Sequence, residues 1–339
     1  MKCVSISGEK KLVLKEVNKP VSKDGSVVIE VKSCGICGSD IHYWVSGSPV
    51  GLVMGHEFAG VVVDPGSRDD LKVGDRVTGL PISPCLKCAA CKSGNYQYCP
   101  KTWTYAVGLS LTNPGAYAEF TSCRPDMVRK IPNTVSYDAA CMTEPAAVSL
   151  HAINIADVRI GDRVLIVGGG IIGLMAAEFA KMSGASYVVM LETNKKRGKK
   201  AVNYGRVDEY YDATDENSIS KLLEKTNGGF DKVIECCGVA SAVSEAFMCV
   251  KPGGIIVLAG VSLTPVAVPT VVPIMKEAKI LTAIAYTEDE FDTTLKLIAT
   301  KKISVTKYID DFIKLDGAQE AFERLTSGKD SAVKIVFKP

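Results

Sequence analysis

Three groups of residues in this chain have types and spacings suited to chemistry. The first is Gly35-Ile36-Cys37-Gly38-Ser39-Asp40-Ile41-His42 with the distant Gly55-His56-Glu57. Cys37 offers a thiolate and His56 a neutral imidazole nitrogen, a pair suited to Zn²⁺, which takes sulfur, nitrogen or carboxylate oxygen tetrahedrally. Glu57 and the far-off Glu144 are candidate carboxylates to complete the shell. Ligands so scattered and so mixed in type are how catalytic zinc sites are built, with three protein ligands and one exchangeable position. Two of the chain's three histidines lie in this constellation. Glu144, in Thr143-Glu144-Pro145-Ala146, has a second reading: at the mouth of a helix a carboxylate favours the N-terminus in its own right. Ser39 and His42 have the chemistry of a proton relay, a hydroxyl and an imidazole able to pass an alcohol proton to solvent. Their plainer reading is a turn residue and a surface residue. His151, seven residues after Glu144, is read as packing.

The second group is Cys85-x-x-Cys88-x-x-Cys91-x7-Cys99, four thiols within fifteen residues. This spacing wraps a tetrahedral Zn²⁺ with every position filled by protein, so the ion is structural. The third is Val167-Gly168-Gly169-Gly170-Ile171-Ile172-Gly173, holding Gly-x-Gly-x-x-Gly after an apolar run and before a helical one. In that context the glycines permit a tight turn and close approach of a pyrophosphate to the N–H groups of Gly170, Ile171 and Ile172 at the helix start. Glu192 follows nineteen residues after Gly173. A carboxylate there accepts hydrogen bonds from ribose hydroxyls and repels a 2′-phosphate, favouring NAD over NADP. The basic run with Arg197 (Lys195, Lys196, Lys199, Lys200) could attract that phosphate, but is read as a solvated helix face.

Elements must hold these groups in place. Positions 27–31, 58–63 and 76–78 are short apolar runs bounded by turn signals such as Asp24-Gly25, Pro65-Gly66 and Gly74-Asp75. That pattern predicts a small antiparallel barrel or sandwich. Beyond Tyr137 the texture changes. A helix is expected over 146–156, then βα units: strands at 163–167, 187–191, 231–234 and 255–259, and helices at 171–183, 195–202 and 242–250. Such alternation means a doubly wound parallel sheet. A helix at 288–299 and a strand at 332–337 end the chain. The divisions predicted are 1–147, 148–282 and 283–339, the last returning to the first. No low-complexity linker separates them, so the lobes are expected to pack closely.

The bulk composition narrows the classes. A chain of 339 residues with 47% hydrophobic and 23% charged residues is globular and large enough for about two domains. A net charge of +2 with no basic face argues against nucleic acid. Charges interrupt the first fourteen residues, and no apolar run is long enough to span a bilayer, so a cytoplasmic, non-membrane protein is expected. Twelve cysteines in that setting mean metal or reduced thiols. Cys3, Cys34, Cys123, Cys141, Cys236, Cys237 and Cys249 are read as small buried hydrophobes. A redox pair at Cys34 and Cys37 is disfavoured, because no helix starts at the first cysteine.

Taken together and in order, these motifs resemble the zinc-dependent medium-chain alcohol dehydrogenases over essentially the whole chain. The resemblance implies a β-rich GroES-like catalytic domain, an NAD-binding Rossmann domain and a returning C-terminal segment. Ile41-His42-Tyr43-Trp44 and Thr143-Glu144-Pro145 look like the polyol, sorbitol-type branch, in which glutamate replaces a second catalytic thiolate. By that likeness Cys37, His56, Glu57 and Glu144 take zinc or zinc-water roles, the ligating glutamate left open. Gly108-Leu109-Ser110, Glu144-Pro145-Ala146-Ala147-Val148 and Ile284-Ala285-Tyr286 are similar to 2,3-butanediol dehydrogenases. Ala285 stands where the sorbitol pattern has an arginine, which removes a donor to substrate hydroxyls. The loop between His42 and Gly55 is short beside that of the butanediol enzymes. The expectation is hydride transfer between a secondary alcohol, polyol or vicinal diol, and NAD, with two zinc ions per subunit in a homodimer or homotetramer. Rivals are an L-threonine or sugar-alcohol-phosphate dehydrogenase, a zinc-free reductase of the same fold, and a non-catalytic zinc-stabilised binding protein.

Overall fold

The structure, a computed structural model, describes every residue except Gly205, Pro269 and Lys329. The chain opens with a hairpin of β1 (Lys2–Gly8) and β2 (Lys11–Glu16). Strand β3 (Val27–Gly35) follows, then helix α1 (Gly38–Ser46), β4 (Glu57–Asp64), β5 (Arg76–Gly79) and the short α2 (Ala89–Lys92). After β6 (Phe120–Cys123) and β7 (Val128–Lys130) come α3 (Tyr137–Cys141) and α4 (Thr143–Ala156). β3 is the buried spine: β4 and β6 pair with it antiparallel, and most of its residues are buried on both faces. Gly60 of β4 lets the two chains approach, since a Cβ there would lie 2.0 Å from the Glu30 carbonyl oxygen.

The middle of the chain is a βα alternation: β8 (Arg163–Val167), α5 (Ile171–Met182), β9 (Tyr187–Glu192), α6 (Lys195–Asn203), β10 (Glu209–Asp212), α7 (Ser218–Lys225), β11 (Phe230–Glu235), α8 (Ala240–Cys249), β12 (Val250–Leu258), α9 (Val271–Met275) and β13 (Lys279–Thr282). The six strands form a parallel sheet in the order β10-β9-β8-β11-β12-β13. Its order reverses between β8 and β11, the switch point at which such sheets open a crevice at their carboxyl ends. β8 reads Arg-Val-Leu-Ile-Val and is buried beyond its first residue, as a central parallel strand must be. Leu165, Val189, Phe230 and Ile256 share a core cluster with Val243 and Phe247 of α8.

The chain then adds α10 (Glu288–Ala299), β14 (Ile309–Ile313), α11 (Ala318–Thr326) and β15 (Lys334–Phe337). β15 pairs with β3, so the end of the chain completes the first sheet, in the order β14-β15-β3-β4-β5-β7 with β6 beside β3. This sheet is mixed rather than antiparallel as expected from 27–78, because β14 and β15 pair in parallel. Parallel neighbours need a crossover, and α11 lies between them in the chain. Two compact units result: Met1–Pro145 with Tyr286–Pro339, and Ala146–Ala285. The division falls inside α4.

Candidate metal centres and dinucleotide turn

The pairing of β3 with β4 sets Gly35 opposite Glu57. Two residues past Gly35, Cys37 is the N-cap of α1, and one residue before Glu57 stands His56. The antiparallel register thus carries two sequence-distant ligands to one end of the sheet. Gly35 is required for this, because a Cβ on it would lie 2.0 Å from a Glu57 carboxylate oxygen. Gly55, at φ +97°, turns the chain into β4. The ligand atoms of Cys37, His56 and Glu57 lie within 4.8 Å of one another. His56 and Glu57 are buried and Cys37 half-buried.

Three further buried groups support this cluster, and the sequence reading gave none of them a role. Asp40, fully buried, accepts the Cys37 backbone N–H at 3.0 Å and the Tyr117 hydroxyl at 2.6 Å through Oδ2. Its Oδ1 faces His56 Nδ1 at 3.5 Å, and neither atom closes a hydrogen bond. A ligating imidazole commonly has a carboxylate at its other nitrogen, which fixes the ring and raises its basicity. Burial opposes protonation of His56, but the charges of Asp40 and Cys37 outweigh it and push the imidazole pKa well up. Lys334 donates to both oxygens of Glu57, at 2.8 and 2.7 Å, and to the Ile36 carbonyl at 2.7 Å. All three ammonium protons are satisfied in a site closed to water. Signals for two of the three were present in the sequence: Asp40 sits three residues after Cys37, the spacing of a capping box, and Lys334 interrupts an apolar final strand.

Glu144 lies in the first turn of α4 and is buried. Burial pushes its carboxyl up to about 7, helped by Glu57 and opposed by His56 and Lys334. It is therefore beside the cluster electrostatically, though outside the 4.8 Å group. A divalent cation next to it would reverse the upward push. The fully buried Tyr286 lies next to the Glu144 carboxyl without closing an ordinary hydrogen bond. Ser39 and His42 are both half-buried on α1, three residues apart. The donor set of thiolate, imidazole and carboxylate, with an imidazole nitrogen still unpaired toward a buried carboxylate, fits an open zinc site.

The four-cysteine lobe is equally compact. Cys85 and Cys91 sulfurs are 4.0 Å apart and those of Cys88 and Cys91 3.6 Å. Four sulfurs at ~2.3 Å from a tetrahedral Zn²⁺ would be about 3.8 Å apart, so the lobe fits the ion. Backbone N–H groups of Cys85 and Lys101 reach Cys99 Sγ at 3.3 and 3.4 Å, and that of Lys87 reaches Cys85 Sγ at 3.5 Å. On Cys99 burial raises the thiol pKa, but these N–H groups win and bring it down to about 6. The remaining cysteines are buried as expected except Cys236, half-buried, and Cys237, exposed. Both lie just past the end of β11, where sheet packing stops.

In the second unit, Gly168 leaves β8 at φ +105° and Gly170 is the N-cap of α5. Gly173 packs so tightly that a Cβ there would lie 1.9 Å from the Gly168 carbonyl oxygen. Space beside Gly170 is open, and Ile171 and Ile172 form the half-buried first turn. Glu192, at the end of β9, accepts from Gly169 N–H at 2.5 Å and Asn194 N–H at 2.7 Å. It is thereby fixed against the glycine turn. Lys195, Lys196 and Lys199 are exposed, whereas Arg197 is half-buried on another face of α6. His151 of α4 is buried, in keeping with a packing role.

Comparison with known proteins adds a family to this geometry. Residues 23–133 match the alcohol dehydrogenase GroES-like domain, and residues 172–300 match the zinc-binding dehydrogenase family. A probable D-xylulose reductase A of Aspergillus terreus is 30% identical over 317 residues, covering 89% of this chain and 88% of that protein. The crystal structure of an Escherichia coli oxidoreductase/dehydrogenase of unknown specificity superposes with a TM-score of 0.92 at 29% identity, over 99% of this chain and 98% of that one. That of 2R,3R-butanediol dehydrogenase from Bacillus subtilis gives 0.87 at 28% identity, over 100% and 99%. With two family domains matched in order and relatives spanning nearly its full length, the chain belongs to the zinc-dependent medium-chain alcohol dehydrogenases, in their polyol branch.

Proposed function

We propose that the protein is an NAD-linked dehydrogenase of a secondary alcohol, a polyol or vicinal diol, carrying one open and one structural zinc. The observation that supports it best is the convergence of Cys37, His56 and Glu57 ligand atoms within 4.8 Å, with Glu144 buried beside them. When bound, Zn²⁺ would supply Lewis acidity toward a substrate oxygen and the nicotinamide would accept the hydride. The rest falls to the chain. Cys37 and His56 hold the ion, and a carboxylate completes the set. Glu57 is clamped by Lys334 through both oxygens, so Glu144 is the freer of the two. Ser39 and His42, half-exposed on α1, carry the alcohol proton toward solvent. Gly168, Gly170 and Gly173 with the Ile171–Ile172 N–H groups receive the pyrophosphate, and Arg197 lies on the following helix. Glu192 favours NAD, because a 2′-phosphate beside its buried carboxylate would be repelled.

The direct test is reduction of NAD⁺, with NADP⁺ in parallel, over a panel of diols, polyols, polyol phosphates and amino alcohols. Turnover is expected with polyols or vicinal diols and its loss in Cys37→Ser. Turnover of an amino alcohol or polyol phosphate alone would move the substrate class. Unchanged activity in Cys37→Ser would reject the site.

A further inference from the structure

Tyr117 is an aromatic residue of the first unit, outside every motif that points to metal. Its side chain is fully buried and its ring packs edge-on against Phe337 at 4.6 Å and Phe322 at 6.2 Å between centroids. Its backbone N–H donates to Met54 at 3.0 Å, and a Cβ on Gly55 would lie 2.5 Å from the ring. The ring thus rests on the segment that delivers His56. Ring packing alone asks only for phenylalanine, yet a hydroxyl is present in a site without access to water. It donates to Asp40 Oδ2 at 2.6 Å, the shorter of its two contacts, the Gly35 carbonyl being at 3.4 Å.

Asp40 has two oxygens with different tasks. Oδ2 receives Tyr117 and the Cys37 N–H, while Oδ1 faces His56 Nδ1. Two donors on one oxygen pin the carboxylate plane, and the plane decides whether the other oxygen meets the imidazole. We propose that Tyr117 is a positioning residue for the open metal site: its hydroxyl fixes Asp40 so that Oδ1 orients His56. The inference rests on Cys37 and His56 being metal ligands. Burial, with the charge of Asp40, pushes the phenol pKa well up, so the group stays a donor. Without the hydroxyl, Asp40 keeps one backbone donor and can swing away from the ring. Loss of the ligand's own outer partner typically weakens metal binding ~10–100-fold, and Tyr117 acts through that partner from one step further out.

The experiment measures Zn²⁺ affinity by chelator competition in the full-length protein, with Tyr117→Phe, Phe337→Leu, Asp40→Asn and the Tyr117→Phe/Asp40→Asn double variant. The four-thiolate zinc serves as an internal reference. Tyr117→Phe is expected to weaken the open-site zinc by up to about tenfold, the low end for loss of the direct partner, and leave the thiolate zinc unchanged. It should also change the visible spectrum of the Co²⁺-substituted protein. In the Asp40→Asn background the same substitution should have little further effect, because the path through Asp40 is already broken. Phe337→Leu, which loosens the ring but spares the hydroxyl, should weaken the ion less. The inference is overturned if Tyr117→Phe holds the open-site zinc as tightly as the unmodified protein, if its effect is as large in the Asp40→Asn background, or if Phe337→Leu matches it. Unmodified protein with only the thiolate zinc instead overturns the metal reading, and this inference with it.

Discussion

A lysine in the final strand decides much at the scale of single residues. Lys334 and Glu57 have no exposed side-chain surface, and their contacts are short and complete. Burying two ions costs several kcal/mol each, offset here by mutual attraction and by the Ile36 carbonyl. Removing one partner leaves the other charged and unpaired. Lys334→Met should therefore destabilise the metal-free protein by about 3–5 kcal/mol, read as a lower urea midpoint. Glu57→Gln/Lys334→Met should recover a large part of that loss. If the single and double variants unfold alike, the stabilisation comes from aliphatic packing rather than from charge. The same pair bears on the site, since Glu57 is held back by Lys334, which leaves Glu144 as the freer carboxylate.

Among the elements, α10 shows why some of the fold was legible in the sequence. Thr287 caps it, accepting the Glu290 N–H at 3.2 Å, and Glu290 returns the bond to the Thr287 N–H at 2.8 Å. Phe291, Leu295 and Ile298 lie on one buried face. Cap and period are both local, so the sequence predicted 288–299, the span observed. Thr287→Ala should cost about 1 kcal/mol, measured as a lower thermal midpoint, and a change near zero would mean that packing alone defines this end. The clustering of Cys37 with His56 and of the four lobe cysteines, and the glycine turn before α5, were legible for the same reason, being written in residue type and spacing. Strands β10, β13 and β14 were not, because edge strands are short and lack the apolar runs that mark β8 and β9. β13 is exposed along its whole length. Tyr117 and Lys334 were missed because their importance comes from distant partners, up to 298 residues away for Lys334 with the Ile36 carbonyl, and the local spacing of Asp40 to Cys37 does not reveal its contact with Tyr117. No window of sequence contains such a pair.

At the level of the whole molecule, the proposed metal and dinucleotide residues fall in different units. Every proposed zinc ligand belongs to Met1–Pro145, and the glycine turn with Glu192 to Ala146–Ala285. Chelators should therefore act on the first unit, whereas the pH dependence expected of Asp231 belongs to the second. In the second unit Asp231 of β11 accepts the Arg163 N–H at 2.8 Å and also pairs with Lys251. Burial raises its pKa, but Lys251 and the Arg163 N–H outweigh this and hold it below the ordinary carboxylate value. A depressed folded pKa contributes stability that is present above the unfolded pKa and lost as pH falls through the folded one. Asp231→Asn should lower the melting midpoint at pH 7, with the gap closing below about pH 4; a gap independent of pH would assign the effect to shape. Chelation should separate the two ions in time. The proposed open site would keep an exchangeable position, whereas the lobe would close four sulfurs about its ion, with N–H groups turned on Cys85 and Cys99. The first equivalent of zinc should leave quickly, abolishing turnover while far-UV circular dichroism and NADH fluorescence titrations stay as they were, since the dinucleotide residues are in the other unit. The second should leave slowly and lower the melting midpoint, because the lobe folds around it. Simultaneous release of both, or loss of NADH binding with the first, would contradict the assignment of one catalytic and one structural ion to these two clusters.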